Sequence, residues 1–254
     1  FVLNNTANPR GVRNYGVGIA NDALFAQWEF SPAPDWRLVA GGRYDSIAYD
    51  FKNSLKPGAD FGAANEVRSF AKFSPKLGAT YAVNAVSSVY GNLSRGFTPP
   101  EVSQLYGKSA IAELTPATYE NTEIGWRTLF ANGIRLDSAV YQLTGDNTIV
   151  SYTISPGNSE NRNAGKTRSQ GLELALSQQH IAWDWYLSAT VAKHRFVTYK
   201  LGATEDYSGK TMPQAPNHTL NGQMGWKPTP ATRVALGMVR QSQYWMNNLN
   251  TVSY

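Results

Sequence analysis

Hydrophobic and polar residues alternate with a period of two through most of this chain, in ten separate stretches. They are Asp22–Phe30, Trp36–Phe51, Phe70–Val83, Ser87–Thr98, Thr118–Phe130, Ile134–Ile154, Lys166–Gln178, Trp185–Lys200, His218–Lys227 and Thr232–Trp245. In the seventh, Leu172, Leu174 and Leu176 occupy one face, while Gly171, Glu173, Ala175 and Ser177 occupy the other. In the eighth, Trp185, Leu187, Ala189 and Val191 oppose Tyr186, Ser188, Thr190 and His194. In the second, Trp36, Leu38 and Ala40 oppose Arg37, Arg43 and Asp45. The pattern predicts strands with one oily and one polar face, and helix signals are nearly absent. Most stretches exceed the roughly five or six residues of a soluble strand. They match the roughly 9–11 residues that cross a bilayer at a tilt.

Alternation alone also fits a soluble sandwich, so the connections decide. They run alternately short (SPAPD, NAV, ANG, HIAWD, PTPA) and long (residues 52–69, Pro99–Ala117, Ser155–Gly165, Leu201–Asn217). Antiparallel neighbours joined in this way gather the short turns at one end and the long loops at the other, as in outer-membrane barrels. Tryptophan gives an independent signal. Trp28, Trp36, Trp126, Trp183, Trp185 and Trp226 lie in or near short turns, and only Trp245 lies toward the other end. Indole rings collect at a bilayer interface because they are half apolar and half polar. The fold class is therefore all-β, an antiparallel transmembrane β-barrel.

Composition sharpens this picture. Hydrophobic residues make up 42% of the 254, yet no apolar run approaches the roughly 18 residues of a membrane helix, which excludes an α-helical membrane protein. Only 16% are charged, against roughly 25% in a typical soluble domain. Cysteine is absent, so disulfide and thiolate chemistry are excluded. The formal charge of +5 includes no basic cluster dense enough for nucleic acid. The opening residues, FVLNNTANPRG, lack a charged region followed by an apolar core, so no signal peptide is expected, and the chain begins as if cut from something longer.

The stretches "FSPKLGATYAVNAVSSVYGNLSRGFTPPEVSQLYG", "LTPATYENTEIGWR" and "NAGKTRSQGLELAL" resemble the barrel of TonB-dependent outer-membrane receptors. So do "ALFAQWEFSPAPDWRLVAGGRYD" and "PQAPNHTLNGQMGWKPTP". The resemblance spans nearly the whole chain and implies a barrel of about 22 strands around a plug. Ten strands supply only part of it. Residues 1–254 are expected to be a partial receptor barrel without the plug or the remaining strands, with residues 1–21 forming an outer loop that leads into a strand. The implied activity is import, without covalent chemistry, of a scarce nutrient complex, with a ferric siderophore favoured over haem, cobalamin or another chelate. The implied partners are TonB, acting through the plug segment, the Fe(III)–siderophore cargo, and outer-membrane lipid with lipopolysaccharide. The implied location is the outer membrane of a Gram-negative bacterium, and no resident cofactor is implied.

On the outer loops, Gln104, Tyr106 and Lys108 are candidate cargo contacts, as are Arg162, Lys166 and Arg168. Aromatic and cationic groups suit a bulky anionic chelate, and the arginine fork grips paired oxygens. Arg162, Lys166 and Arg168 could equally bind lipopolysaccharide phosphates at the rim. His194 has the inward phase on its strand, toward the outer side. The loops Pro99–Ala117 and Ser155–Gly165 contain no histidine, which ranks haem below siderophore. Arg37, Arg43, Asp45, Asn121, Glu123, Arg127, Arg135, Asp137 and Glu173 share the polar face and are expected to pair across a wet lumen. A barrel phospholipase would need a Ser–His pair on the lipid side, which the phase of His194 opposes. A third reading is a soluble β-rich binding or adhesion module, which would stay dissolved without detergent. No spacing resembles a zinc site.

Overall fold

A computed structural model describes residues 14–58, 62–108, 111–155, 158–200 and 205–254. Ten strands follow one another: β1 (Tyr15–Phe30), β2 (Trp36–Asn53), β3 (Glu66–Asn84), β4 (Ser87–Thr98), β5 (Ala117–Leu129), β6 (Ile134–Ser155), β7 (Asn158–Gln179), β8 (Trp183–Tyr199), β9 (His218–Thr229) and β10 (Thr232–Gln241). A single helical turn, α1 (Val102–Tyr106), lies between β4 and β5. The strands form one sheet in sequence order, each antiparallel to the next.

Every predicted strand is present, with corrected ends. β1 begins at Tyr15, paired with Asn53, so residues 15–21 are already strand, while residues 1–13 lie outside the described residues. β10 stops at Gln241; Trp245 instead makes an isolated bridge with Ser253. The largest correction concerns Ser155–Gly165. The β6–β7 ladder runs on past two irregularities at Gly145–Ile149 and closes at Ser155–Asn158, so the expected loop is the end of a long hairpin. Backbone pairing does not need side-chain alternation. A hairpin can therefore carry the composition of a loop.

Side chains sort by face as the pleat requires. Leu172 stands between Val140 and Val191, Leu174 between Ser138 and Ala189, and Leu176 between Leu136 and Leu187. Among the described residues, no second layer of strands covers this apolar face, and each strand packs mainly on its neighbours in sequence. Leu24, Leu77, Ile124, Leu172 and Leu236 are exposed on it. The six tryptophans near the short turns also share this face. Trp28 lies opposite Ala40, Trp36 opposite Tyr81, Trp126 opposite Val89, Trp185 opposite Met224, and Trp183 opposite Trp226.

The polar face holds paired charges. Arg37 donates to Glu29 at 2.7 Å, Arg43 to Asp45 at 2.9 Å, and Arg127 to Asp137 at 3.1 Å. Tyr90 crosses over Gly125, where a Cβ would collide with its ring, and its hydroxyl donates to Glu123 at 2.8 Å. Asp184 receives Arg233 at 2.6 Å and Lys227 at 3.1 Å. Pairs that are open to water in this way add little to stability. Their effect is to line this face with neutralised polar groups suited to a wet channel.

Candidate ligand-binding site at the loop end

The short connections gather at one end of the sheet, and the connections 54–65, 99–116 and 200–217 gather with the β6–β7 hairpin tip at the other. At the loop end, the polar face becomes apolar and forms the main core. Tyr49, Phe51 and Phe70 pack there with Leu105, Tyr106 and Leu114. The β4–β5 connection folds back over β2 and β3. Pro99-Pro100 ends the β4 ladder because proline has no N–H to donate. α1 then starts with the Gln104 side chain accepting the Glu101 N–H at 2.9 Å, one half of a capping box.

Three side chains fix this connection in place. Arg68 of β3 donates to the Ala112 carbonyl at 2.7 Å and bridges Glu66 at 3.0 Å and Glu113 at 3.2 Å. Asn163 of β7 acts as a clamp. Its oxygen accepts the Thr115 N–H at 2.7 Å, and its amide donates to the carbonyls of Thr115 at 2.9 Å and Asn147 at 2.7 Å. Asn161 donates to the Gln104 carbonyl at 3.0 Å. Sequence reading passed over all three residues. Asn147, whose carbonyl accepts from Asn163, has φ 54° at the break in the β6–β7 ladder.

Between this connection and the hairpin lies a cavity of about 640 Å³. Gln104, Lys108, Glu113, Asn161 and Arg162 are among its lining residues. Three expected contacts therefore come together from two separate segments. Arg162 is ion-paired with Glu160, which also lines the cavity. Tyr106 does not line it. Its ring stacks on Phe51 at 4.3 Å and is 3% exposed, so it anchors the connection. Its buried hydroxyl has no hydrogen-bond partner, and burial, then the charge of Glu66, push its pKa up to about 12.

Lys166 and Arg168 lie elsewhere. They share the phase of Leu172 on β7 and so project from the apolar face; Lys166 pairs with Asp146 of β6 at 3.2 Å. His194 lies on the polar face, its Nδ1 2.9 Å from Ser169 Oγ in a cross-strand pair. That is the side opposite the one a lipid hydrolase would need. No cluster of three or more histidine, cysteine or acidic residues suited to a metal occurs among the described residues.

A single antiparallel sheet with an uncovered oily face, a face of paired charges, short turns at one end and a loop-built cavity at the other defines part of the wall of a transmembrane β-barrel. The family model for the TonB dependent receptor-like β-barrel matches residues 2–254, and the chain belongs to that family of outer-membrane barrels. Solved structures share the fold. The ferric yersiniabactin uptake receptor FyuA from Yersinia pestis aligns with a TM-score of 0.72 at 16% identity, over 94% of this chain and 37% of that one. The ferric citrate transporter FecA aligns at 0.72 and 19% identity, over 94% and 34%. The ferric-catecholate import receptor Fiu from K12 E. coli aligns at 0.72 and 18%, over 91% and 35%. The chain thus spans little more than a third of each.

Proposed function

We propose that this chain is about ten strands of a larger receptor barrel in the outer membrane of a Gram-negative bacterium. The complete receptor imports a ferric siderophore or a similar ferric chelate. Its plug, a segment outside this chain, passes energy from TonB to the cargo path. The reading rests chiefly on the cavity where Gln104, Lys108 and Arg162 meet. Cations and amides held on a docked connection suit an anionic chelate with several oxygens. Structural relatives bear on it too, since FyuA, FecA and Fiu are described as taking up ferric yersiniabactin, ferric citrate and ferric catecholates. Haem ranks lower because no histidine lines the cavity.

The test is binding of a panel of ferric chelates, with haem and cobalamin, to the detergent-solubilised full-length receptor, alongside uptake by cells carrying or lacking it. One ferric chelate is expected to bind and to require the receptor for uptake. Lys108→Glu with Arg162→Glu is expected to weaken binding by tenfold or more, roughly the loss of one charge-assisted hydrogen bond. Unchanged uptake of every cargo in cells lacking the receptor would remove the proposal. Unchanged binding by the double variant would remove this cavity from it.

A further inference from the structure

The cavity between the β4–β5 connection and the β6–β7 hairpin holds charge of both signs. Its charged lining residues are Lys108 and Glu113 on the connection, and Glu160 and Arg162 on β7. Gln104, Asn161 and Asn163 add uncharged carboxamides to the same wall. The two carboxylates have no place in a site built only to attract anions.

Each carboxylate is set against a cation in its own way. Glu160 and Arg162 stand two residues apart on β7, so the pleat sends both side chains the same way, and they form an ion pair. Arg162 therefore already has a counter-ion. Glu113 pairs with Arg68 at 3.2 Å, but Arg68 also holds Glu66 at 3.0 Å, which leaves one guanidinium between two carboxylates. The Glu113 side chain is 90% exposed, so the surplus negative charge stays open to the cavity. Lys108 offsets that surplus, and the cavity with its supporting groups has no net positive charge.

Neutrality of the wall decides which cargo gains by docking. A chelate that fills the cavity displaces water, and every charge contact inside becomes stronger as the dielectric falls. A trianionic chelate gains from Lys108 and Arg162 but loses comparably to Glu113 and Glu160, and it also gives up its own hydration. A neutral chelate gives up little hydration. Carboxamides both donate and accept, so they match carbonyl, amide and hydroxyl groups on its periphery.

We propose that Glu160 is a selectivity residue of this cavity. By holding Arg162 it keeps the site neutral and tunes it to ferric chelates with no net charge or one negative charge, such as three hydroxamates form around Fe(III). It disfavours trianionic chelates, such as three catecholates form, by leaving them an uncompensated carboxylate. The inference rests on the reading of the cavity as the ferric-chelate site, and adds to it a limit on the charge of the cargo.

The test measures, by equilibrium dialysis with the detergent-solubilised full-length receptor, affinity for a neutral ferric trihydroxamate and for a trianionic ferric tris-catecholate of similar size. The wild type is expected to bind the neutral chelate about tenfold or more tightly than the trianion. Glu160→Gln frees Arg162 and is expected to move that ratio about tenfold toward the trianion, whereas Arg162→Gln moves it about tenfold the other way. Glu205→Gln removes the same charge outside the cavity lining and is expected to leave the ratio unchanged. The ratio is taken within each preparation, so a variant that folds in low yield still reports it. If the Glu160 variant does not fold at all, the salt dependence of the wild type decides: affinity for the trianion is expected to fall less than about fivefold between about 50 and about 500 mM salt, and a larger fall marks a net-cationic site. Wild-type preference for the trianion, equal affinities, a ratio unmoved by Glu160→Gln, or that larger fall overturns the proposal and leaves the chelate reading standing. Failure of every ferric chelate to bind removes that reading and this inference together.

Discussion

Arg68 joins β3 to a connection more than forty residues away in sequence through the Ala112 carbonyl and the Glu113 carboxylate, while Glu66 of its own strand steadies it. Its guanidinium is largely buried, so these bonds are shielded from water and from salt. Arg68→Ala is expected to cost the docked connection about 2 kcal/mol, as for a charge-assisted hydrogen bond network left without its donor. Limited proteolysis of the full-length receptor should then cut between β4 and β5 about thirtyfold faster, while the strands stay resistant. Equal cutting rates would mean that Asn163 and the aromatic core suffice. Tyr106 gives a pH signature at the same place. An unfolded tyrosine titrates near about 10, whereas this phenol is pushed up to about 12. A raised folded-state pKa stabilises below pH about 10, and that contribution is lost as the pH rises toward about 12. Resistance of the connection should decline over that window in the wild type and more weakly in Tyr106→Phe. The hydroxyl has no partner, so Tyr106→Phe at neutral pH should leave resistance unchanged or raise it.

A strand's two faces make opposite demands, and β7 shows both within two residues. Leu174 faces lipid between Ser138 and Ala189, while Ala175 faces the channel between Asp137 and Ser188. Arginine at a lipid-facing site near the membrane centre costs about 2–4 kcal/mol. Leu174→Arg should sharply reduce the yield of folded receptor, and Ala175→Arg should fold near the wild-type level beside Asp137. Equal yields would refute the assignment of faces. At this scale the sequence was a good guide because a period of two survives any register that keeps one face oily. It misled at residues 158–165, where Asn, Ser and Gly are turn formers by local preference and the ladder nevertheless continued. It also misled at Tyr106, whose polar surroundings in sequence gave no sign that Phe51 would stack on it.

For the whole molecule, the quantity of interest is uncovered surface. The chain exposes 16544 Å², whereas a globular monomer of 27.9 kDa exposes about 11,000 Å². The excess accords with a single layer that has oily residues on one side and, among the described residues, no strand paired beyond β1 or β10. The 254-residue chain alone is expected to aggregate in detergent-free buffer, as exposed edges and a large apolar face dictate; sedimentation as a discrete soluble species would count against a membrane-facing sheet. The sequence by itself determined the strands, the two faces and the end at which tryptophans gather, because these depend on the local pleat and on the chemistry of successive side chains. Only the tertiary structure decided that Gln104, Lys108 and Arg162 share a cavity while Lys166 and Arg168 point to the membrane. Those outcomes depend on how a distant connection docks and on which strand edge pairs with which, and neither is written into any local stretch of residues.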